Sequence, residues 1–449
     1  MNKKLFPILS AFLLLFSLIE KGQATETYRP ETSVAGFIQL PGSGRQVYNF
    51  NPGWRFFKGD IHGAESVDFD DRSWTIVSTP HTVELMPAEA SGCRNYQGPA
   101  WYRKHFVLPA ETKGKRVLIH FEAAMGKQVL YLNGKRIQEH VGGYLPFTLD
   151  LTTNGIQAGD SCLLAIFVDN SNDKSFPPGK PQYTLDFAYH GGIYRDVWMI
   201  AKSPVSITDP LDSQTVAGGG VFVHFDKISE KSAQVYVNTE LQNDNQHTET
   251  VTVETTLTDA DGKVIKRTSG KLSLKSGEKK IIRQQVEVKS PKLWSPDAPY
   301  LYRVQSCIKK GNQSIDGGIT RIGIRLAEFR GKDGFWLNGK PFGQLVGANR
   351  HQDFAYVGNA LPNSQQWRDA KRLRDAGCTI IRVAHYPQDP SFMDACDELG
   401  MFVIVATPGW QYWNKDVKFG ELVHQNTREM IRRDRNHPSV LMWEPILNE

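Results

Sequence analysis

Cysteine is scarce in this chain and never paired at short range. The five cysteines, Cys93, Cys162, Cys307, Cys378 and Cys396, are widely spaced and odd in number. No Cys-x-x-Cys or Cys/His metal spacing occurs, so neither a disulfide framework nor a zinc site is expected. Isolated cysteines of this kind serve as small buried hydrophobes. Charge of one sign is also missing. The formal net charge is +5, and +3 once the first 24 residues, with Lys3, Lys4, Glu20 and Lys21, are set aside. That balance is too weak and too dispersed for a nucleic-acid partner. Low-complexity tracts are absent, and 40% hydrophobic with 22% charged residues is the composition of a globular protein. An apolar run long enough for a comfortable membrane span is lacking too. The one candidate, from Leu5 to Ile19, is short and broken by Pro7, Ser10 and Ser17. It follows Lys3-Lys4 and precedes the small-x-small site Gly22-Gln23-Ala24, which is the pattern of a secretory signal. Residues 1–24 are therefore expected to be a signal peptide and residues 25–45 a linker. The mature protein is expected to be exported, periplasmic or secreted, with no membrane association after cleavage. No cofactor or metal is implied, and oligomeric state is not legible.

Aromatic residues, by contrast, are plentiful: 11% of the chain, with ten Trp. They suit sugar-ring stacking and β-sandwich cores equally well. Residues 46–203 read as many short strands. Val117 to Glu122, Val129 to Leu132 and Leu163 to Val168 are apolar runs ended by turns, and Asn133-Gly134 is a strong hairpin signal. Helical periodicity is absent, which predicts a jelly-roll β-sandwich. Residues 204–325 repeat the pattern in a shorter unit. Val251, Val253, Thr255 and Leu257 alternate with Thr252, Glu254 and Thr256, as a half-buried strand should. The spacing predicts an immunoglobulin-like sandwich without the antibody Cys pair.

After about residue 326 the period changes. A strand from Gln344 to Asn349 precedes a helix from Gln365 to Ala376, with Trp367, Ala370, Leu373 and Ala376 on one face. Strand Thr379 to Ala384 follows, then a helix capped by Asp389-Pro390 and stopped at Gly400. Strand Met401 to Ala406, a long loop, a helix ending near Asn436 and strand Val440 to Trp443 complete the series. Alternating strand and helix implies a parallel sheet. A (β/α)₈ barrel takes roughly 250 residues, so residues 326–449 are expected to be its first half, a partial TIM-barrel catalytic domain.

Polar residues gather where these strands end, which is where barrel enzymes place their chemistry. Asn349-Arg350-His351-Gln352-Asp353 follows the first strand, and such clustering suits hydroxyl recognition, which needs donors and acceptors together. Arg382 lies inside an apolar strand, where burial without a partner would be costly. Trp410, Tyr412 and Trp413 follow the third strand, as sugar platforms or as packing for the loop. The fourth strand leads into Asn448-Glu449, an amide and a carboxylate.

These segments resemble glycoside hydrolase family 2, the group of β-galactosidases, β-glucuronidases and β-mannosidases. The resemblance runs from about residue 46 to the end in the family's domain order. It rests on Tyr96 to Arg103, Gly191 to Val197, Leu293 to Tyr302, Leu337 to Pro341, Asn349 to Asp353, Arg382 to Pro387 and Asn436 to Glu449. It implies an exported retaining β-glycosidase, most like a β-galactosidase, acting on an oligosaccharide or glycoside. It further implies Glu449 as acid/base, Asn448 on the sugar 2-hydroxyl, and His351, Asp353, Arg382, His385 and Asp186 around the sugar. A retaining enzyme needs two carboxylates about 5–5.5 Å apart, so the nucleophile is expected beyond residue 449 and the chain as given is expected to be incomplete and inactive. Trp443 and Glu449 stand six apart where the family pattern has five, which leaves Glu444 as a competitor for the acid/base role. A carbohydrate-binding module without catalysis is the alternative.

Overall fold

The computed structural model describes residues 31–32, 38–86, 95–409 and 411–446. The expected signal peptide, Cys93, Trp410, Asn448 and Glu449 lie outside the described residues.

The first unit is a sandwich of a six-stranded and a five-stranded antiparallel sheet. The long strands Pro99–Val107, Ser161–Asp169 and Gly126–Leu132 are neighbours in one sheet. Gln46–Asn49, Val197–Lys202 and Arg116–Phe121 are neighbours in the other. Their facing residues, among them Tyr48, Phe50, Trp54, Tyr102, Phe106, Phe121 and Leu164, form the largest apolar cluster. Here the aromatic content is consumed by packing. Asn133 and Gly134 both have positive φ, 50° and 81°, as the tight turn between Gly126–Leu132 and Lys135–Gly142 demands.

The second unit packs Ser232–Asn243 and Lys279–Lys289 against Glu249–Thr258 and Tyr302–Lys310 through Val235, Val237, Leu257, Val286 and Val304. The expected alternation holds from Val251 to Thr255, where Val251, Val253 and Thr255 are buried and Thr252 and Glu254 half-buried, but fails at Thr256, which is buried along with Leu257.

The third unit opens with a small hairpin sheet and continues as four parallel strands in chain order, Gly347–Arg350, Ile380–Val383, Phe402–Ala406 and Val440–Glu444. Helices α1 (Asn363–Asp375), α2 (Pro390–Leu399) and α3 (Val417–Asp434) connect them. Asp389 caps α2 by accepting from the Ser391 N–H, and Gly400 ends it at φ 71°. On α1 the buried residues are Gln366 and Ala370, with Leu373 packed beside them; Trp367 and Ala376 are exposed. The expected apolar face is therefore rotated. Gln366 turns inward because Arg350 donates to its Oε1 at 2.9 Å, while the Trp367 indole lies across the surface and donates to Glu398 at 3.1 Å.

Asp397, on α2, ties the second unit to the barrel. Its carbonyl accepts from the Trp294 indole at 2.9 Å, and its carboxylate accepts from the Ser439 N–H and faces His437 Nδ1 at 2.6 Å. Burial opposes the charge on His437, but Asp397, then Asp394 and Asp434, outweigh it and raise its pKa to about 9. The unfolded value is about 6.5. The ion pair's stabilisation is thus fully present below that value and is lost as pH rises through about 9. We expect His437→Gln to cost on the order of 3 kcal/mol at neutral pH and nearly nothing at pH about 10. Denaturation midpoints of parent and variant across that range check it; a gap that stays constant with pH would refute the linkage.

Candidate functional site

At the ends of the first two parallel strands the chain assembles one polar mouth. Asn349 and Arg382 face each other because their strands pair in register. The Arg382 guanidinium donates to both oxygens of Glu444, at 2.6 Å each, from the second strand to the end of the fourth. The partner that a guanidinium in an apolar strand requires is therefore Glu444. The same guanidinium points two N–H groups at His385 Nδ1, at 3.2 and 3.3 Å, and one at the Asn349 side-chain oxygen at 3.4 Å. Burial, then Arg382, lowers the His385 pKa to about 4, so the ring is neutral at pH 7.

His351 lies beside it, with ring centroids 5.4 Å apart. Burial pulls its pKa below the usual histidine value, against the opposing fields of Asp353 and Asp186. Its Nδ1 is 3.2 Å from the Tyr386 hydroxyl. The adjacent Arg350 points the other way, into a buried set of Asp369, Gln366 and Gln388, and is structural.

The sandwich supplies the other wall. Asp186 is exposed but close enough for its charge to act on both His351 and His385. The adjacent Phe187 packs against His351 at 4.8 Å and His385 at 5.7 Å. His190 Nε2 sits 3.8 Å from Asp353 Oδ2, an electrostatic contact beyond hydrogen-bond range. Its ring fits there because Gly358 carries no Cβ; one would lie 2.4 Å from His190 Nδ1. Burial pushes the Asp353 carboxyl up, but His190 and His351 reverse that and hold it below the usual range. Arg195, buried, fastens this wall to the barrel. It donates to the Tyr144 carbonyl at 3.0 Å, to Gln352 at 2.9 Å and to the Pro387 carbonyl at 2.8 Å.

Five of the residues singled out from sequence, Asp186, His351, Asp353, Arg382 and His385, thus lie around one mouth. Trp410, Asn448 and Glu449 fall outside the described residues. Tyr412 packs edge-on against Phe419 at 5.8 Å and covers Gly179, so it braces the loop. Trp413 also meets Phe419 but remains partly exposed. Sequence reasoning missed Phe187, His190 and Tyr386. Their only signal was adjacency: Phe187 and His190 flank the Asp186 segment, and Tyr386 follows His385.

Three family profiles match the chain in order. These are the sugar binding domain of glycosyl hydrolases family 2 over residues 64–204, a further domain of that family over 219–325, and its TIM barrel domain over 329–449. The chain belongs to glycosyl hydrolase family 2. Among its relatives, a β-galactosidase of Thermoanaerobacter pseudethanolicus is 36% identical over 90% of this chain and 52% of its own length. A β-glucuronidase of Formosa agariphila is 32% identical over 90% of this chain and 42% of its own. The crystal structure of a Bacteroides uniformis β-glucuronidase matches with a TM-score of 0.80 at 32% identity, covering 89% of this chain and 46% of that one. The chain spans about half the length of the curated relatives it matches. In family 2 terms, the described mouth joins the sugar binding domain to the TIM barrel.

Proposed function

We propose that the protein acts as an exported, retaining β-glycosidase on terminal non-reducing β-linked sugars, with β-D-galactosides preferred. The preference rests on the charge balance of the mouth. Both histidines are neutral near pH 7. Among the described residues, the cations acting there are Arg382, already held by Glu444, Arg350, held by Asp369, and Lys180, whose Nζ donates to Gln411 at 2.9 Å. Facing them are Asp186, Asp353 and Glu444. A uronate carboxylate would enter this field without an unengaged cation, whereas a neutral sugar meets donors and acceptors suited to hydroxyls.

Glu449 is the proposed acid/base and Asn448 the holder of the 2-hydroxyl. Supporting this over Glu444, the Glu444 carboxylate is already engaged through both oxygens, at 2.6 Å each, as the counter-charge of the Arg382 guanidinium. The family relatives carry both galactosidase and glucuronidase names, so the assay must compare the two. With matched aryl β-D-galactoside, β-D-glucuronide and β-D-mannoside and the protein carrying the complete barrel, kcat/KM is expected to be highest for the galactoside. A higher value for the glucuronide would overturn the charge argument. Export is checked by N-terminal sequencing of the mature protein, with processing expected after Ala24.

A further inference from the structure

Tyr386 stands behind the mouth, not in it. Its ring is buried and stacked face to face on Tyr144 of the sandwich, with centroids 4.0 Å apart and planes 7° apart. Among the described residues the Tyr386 hydroxyl has two polar neighbours: the Gln352 N–H at 3.4 Å and His351 Nδ1 at 3.2 Å. The N–H can only donate, so the phenol oxygen is the acceptor there. That leaves the phenol proton to be placed, and a buried O–H without an acceptor is costly. His351 Nδ1 is the acceptor within reach. A neutral imidazole accepts at one nitrogen only, so its own proton must lie on Nε2. His385 obeys the same logic by a different route. A guanidinium has no acceptor, so two Arg382 N–H groups aimed at His385 Nδ1 force that ring's proton onto Nε2 as well.

We infer that Tyr386 is a positioning residue that fixes His351 as an Nε2–H donor, so that His351 and His385 are presented to the sugar as a matched pair of donors. The ring stack on Tyr144 sets the hydroxyl's position, which makes the sandwich part of the device. Among the described residues the Tyr144 hydroxyl has no hydrogen-bond partner, and only its ring takes part. A sugar hydroxyl approaching the pair is met as an acceptor. Its own proton is then directed to carboxylates such as Asp186 and Asp353, which completes a donor–acceptor pattern for neutral polyols. The inference rests on the sugar-binding reading above, but its first test does not require sugar.

That test is the nitrogen-15 spectrum of histidine-labelled protein at pH about 7.5, with the His351 signals assigned by their loss in His351→Gln. The parent is expected to show His351 Nδ1 unprotonated and Nε2 protonated. Tyr386→Phe keeps the ring stack and removes the donor, and is expected to give a tautomer mixture. Tyr144→Phe is expected to leave the His351 signals unchanged. A protonated Nδ1 in the parent, or an unaltered tautomer in Tyr386→Phe, overturns the inference. Should Tyr386→Phe not fold, the parent spectrum alone decides. The second test titrates the same proteins with D-galactose. Tyr386→Phe is expected to bind roughly threefold to tenfold more weakly, the worth of one neutral hydrogen bond. A parent that binds neither galactose nor glucuronate would refute the sugar-binding reading while leaving the tautomer result to be judged separately.

Discussion

In the protein carrying the complete barrel, Glu449→Gln is expected to lower turnover of β-galactosides with poor leaving groups by about 10²–10⁴-fold, the usual worth of a positioned general acid. For activated aryl glycosides the loss in glycosylation is expected to be small, because a weakly basic leaving oxygen needs little proton assistance. Added azide should then restore part of the turnover by attacking the glycosyl-enzyme without a general base. Glu444→Gln is expected to behave differently. It leaves the Arg382 guanidinium, now bound at 2.6 Å to each carboxylate oxygen, without its counter-charge and free to pull on Asn349 and His385. Activity should fall for every substrate alike, with no dependence on leaving group and no azide rescue. The comparison also resolves the spacing between Trp443 and Glu449. Leaving-group dependence and azide rescue in Glu444→Gln, with Glu449→Gln like the parent, would reverse the assignment.

The second large effect concerns Arg195. Its guanidinium is buried and satisfies two carbonyls and the Gln352 amide, and its Nε is 3.8 Å from Asp389 Oδ2. Asp196, next in the chain, accepts from Asn51 in the sandwich and from Asn363 of α1. Burial, then Asp389, raises the Asp196 pKa to about 6. Arg195→Met leaves the buried carbonyls and the amide without a donor, and Asp389 without the charge. A cost of about 3–5 kcal/mol is expected, as when one partner of a buried ionic contact is removed. A multidomain chain does not unfold in one step, so the quantity to follow is the first calorimetric transition, together with KM for the galactoside. The midpoint should fall and KM should rise, since Asp186 and Phe187 lose their fixed relation to the barrel. A variant whose first transition and KM match the parent would show that Arg195 does not hold the two units together.

Much of this architecture was readable from residue patterns, and the failures have physical reasons. The hairpin at Asn133-Gly134 is local, since two positive φ values in sequence leave few alternatives. The cap at Asp389 and the stop at Gly400 are local in the same sense. The buried face of α1 was misjudged because an amphipathic pattern counts Trp as core. In the fold, Gln366 takes the inward position through Arg350, a residue from another element. The site shows the same division. Strand ends pointed to the segment holding His351 and Asp353 and to Arg382, while the resemblance to family 2 supplied His385 and the roles of the others. His190 and Tyr386 could not be found in this way, because their importance comes from contacts across a domain boundary. Spacing along one segment carries no trace of such contacts. The Arg382–Glu444 pairing was foreseeable only in part: the need for a partner was plain, but the strand did not say which residue would supply it.

The mouth is walled on one side by Asp186, Phe187 and His190, and on the other by His351, Asp353 and His385. Neither polypeptide region can therefore drift alone over evolutionary time. A change in the loop bearing Asp186 alters the surroundings of two histidines it is not near in sequence, and a change at Gly358 intrudes on a ring from the other domain. Chimaeras that graft one relative's sandwich onto another's barrel should inherit selectivity from the junction, not from either parent. Selection for a new sugar must find paired substitutions on both sides of the seam.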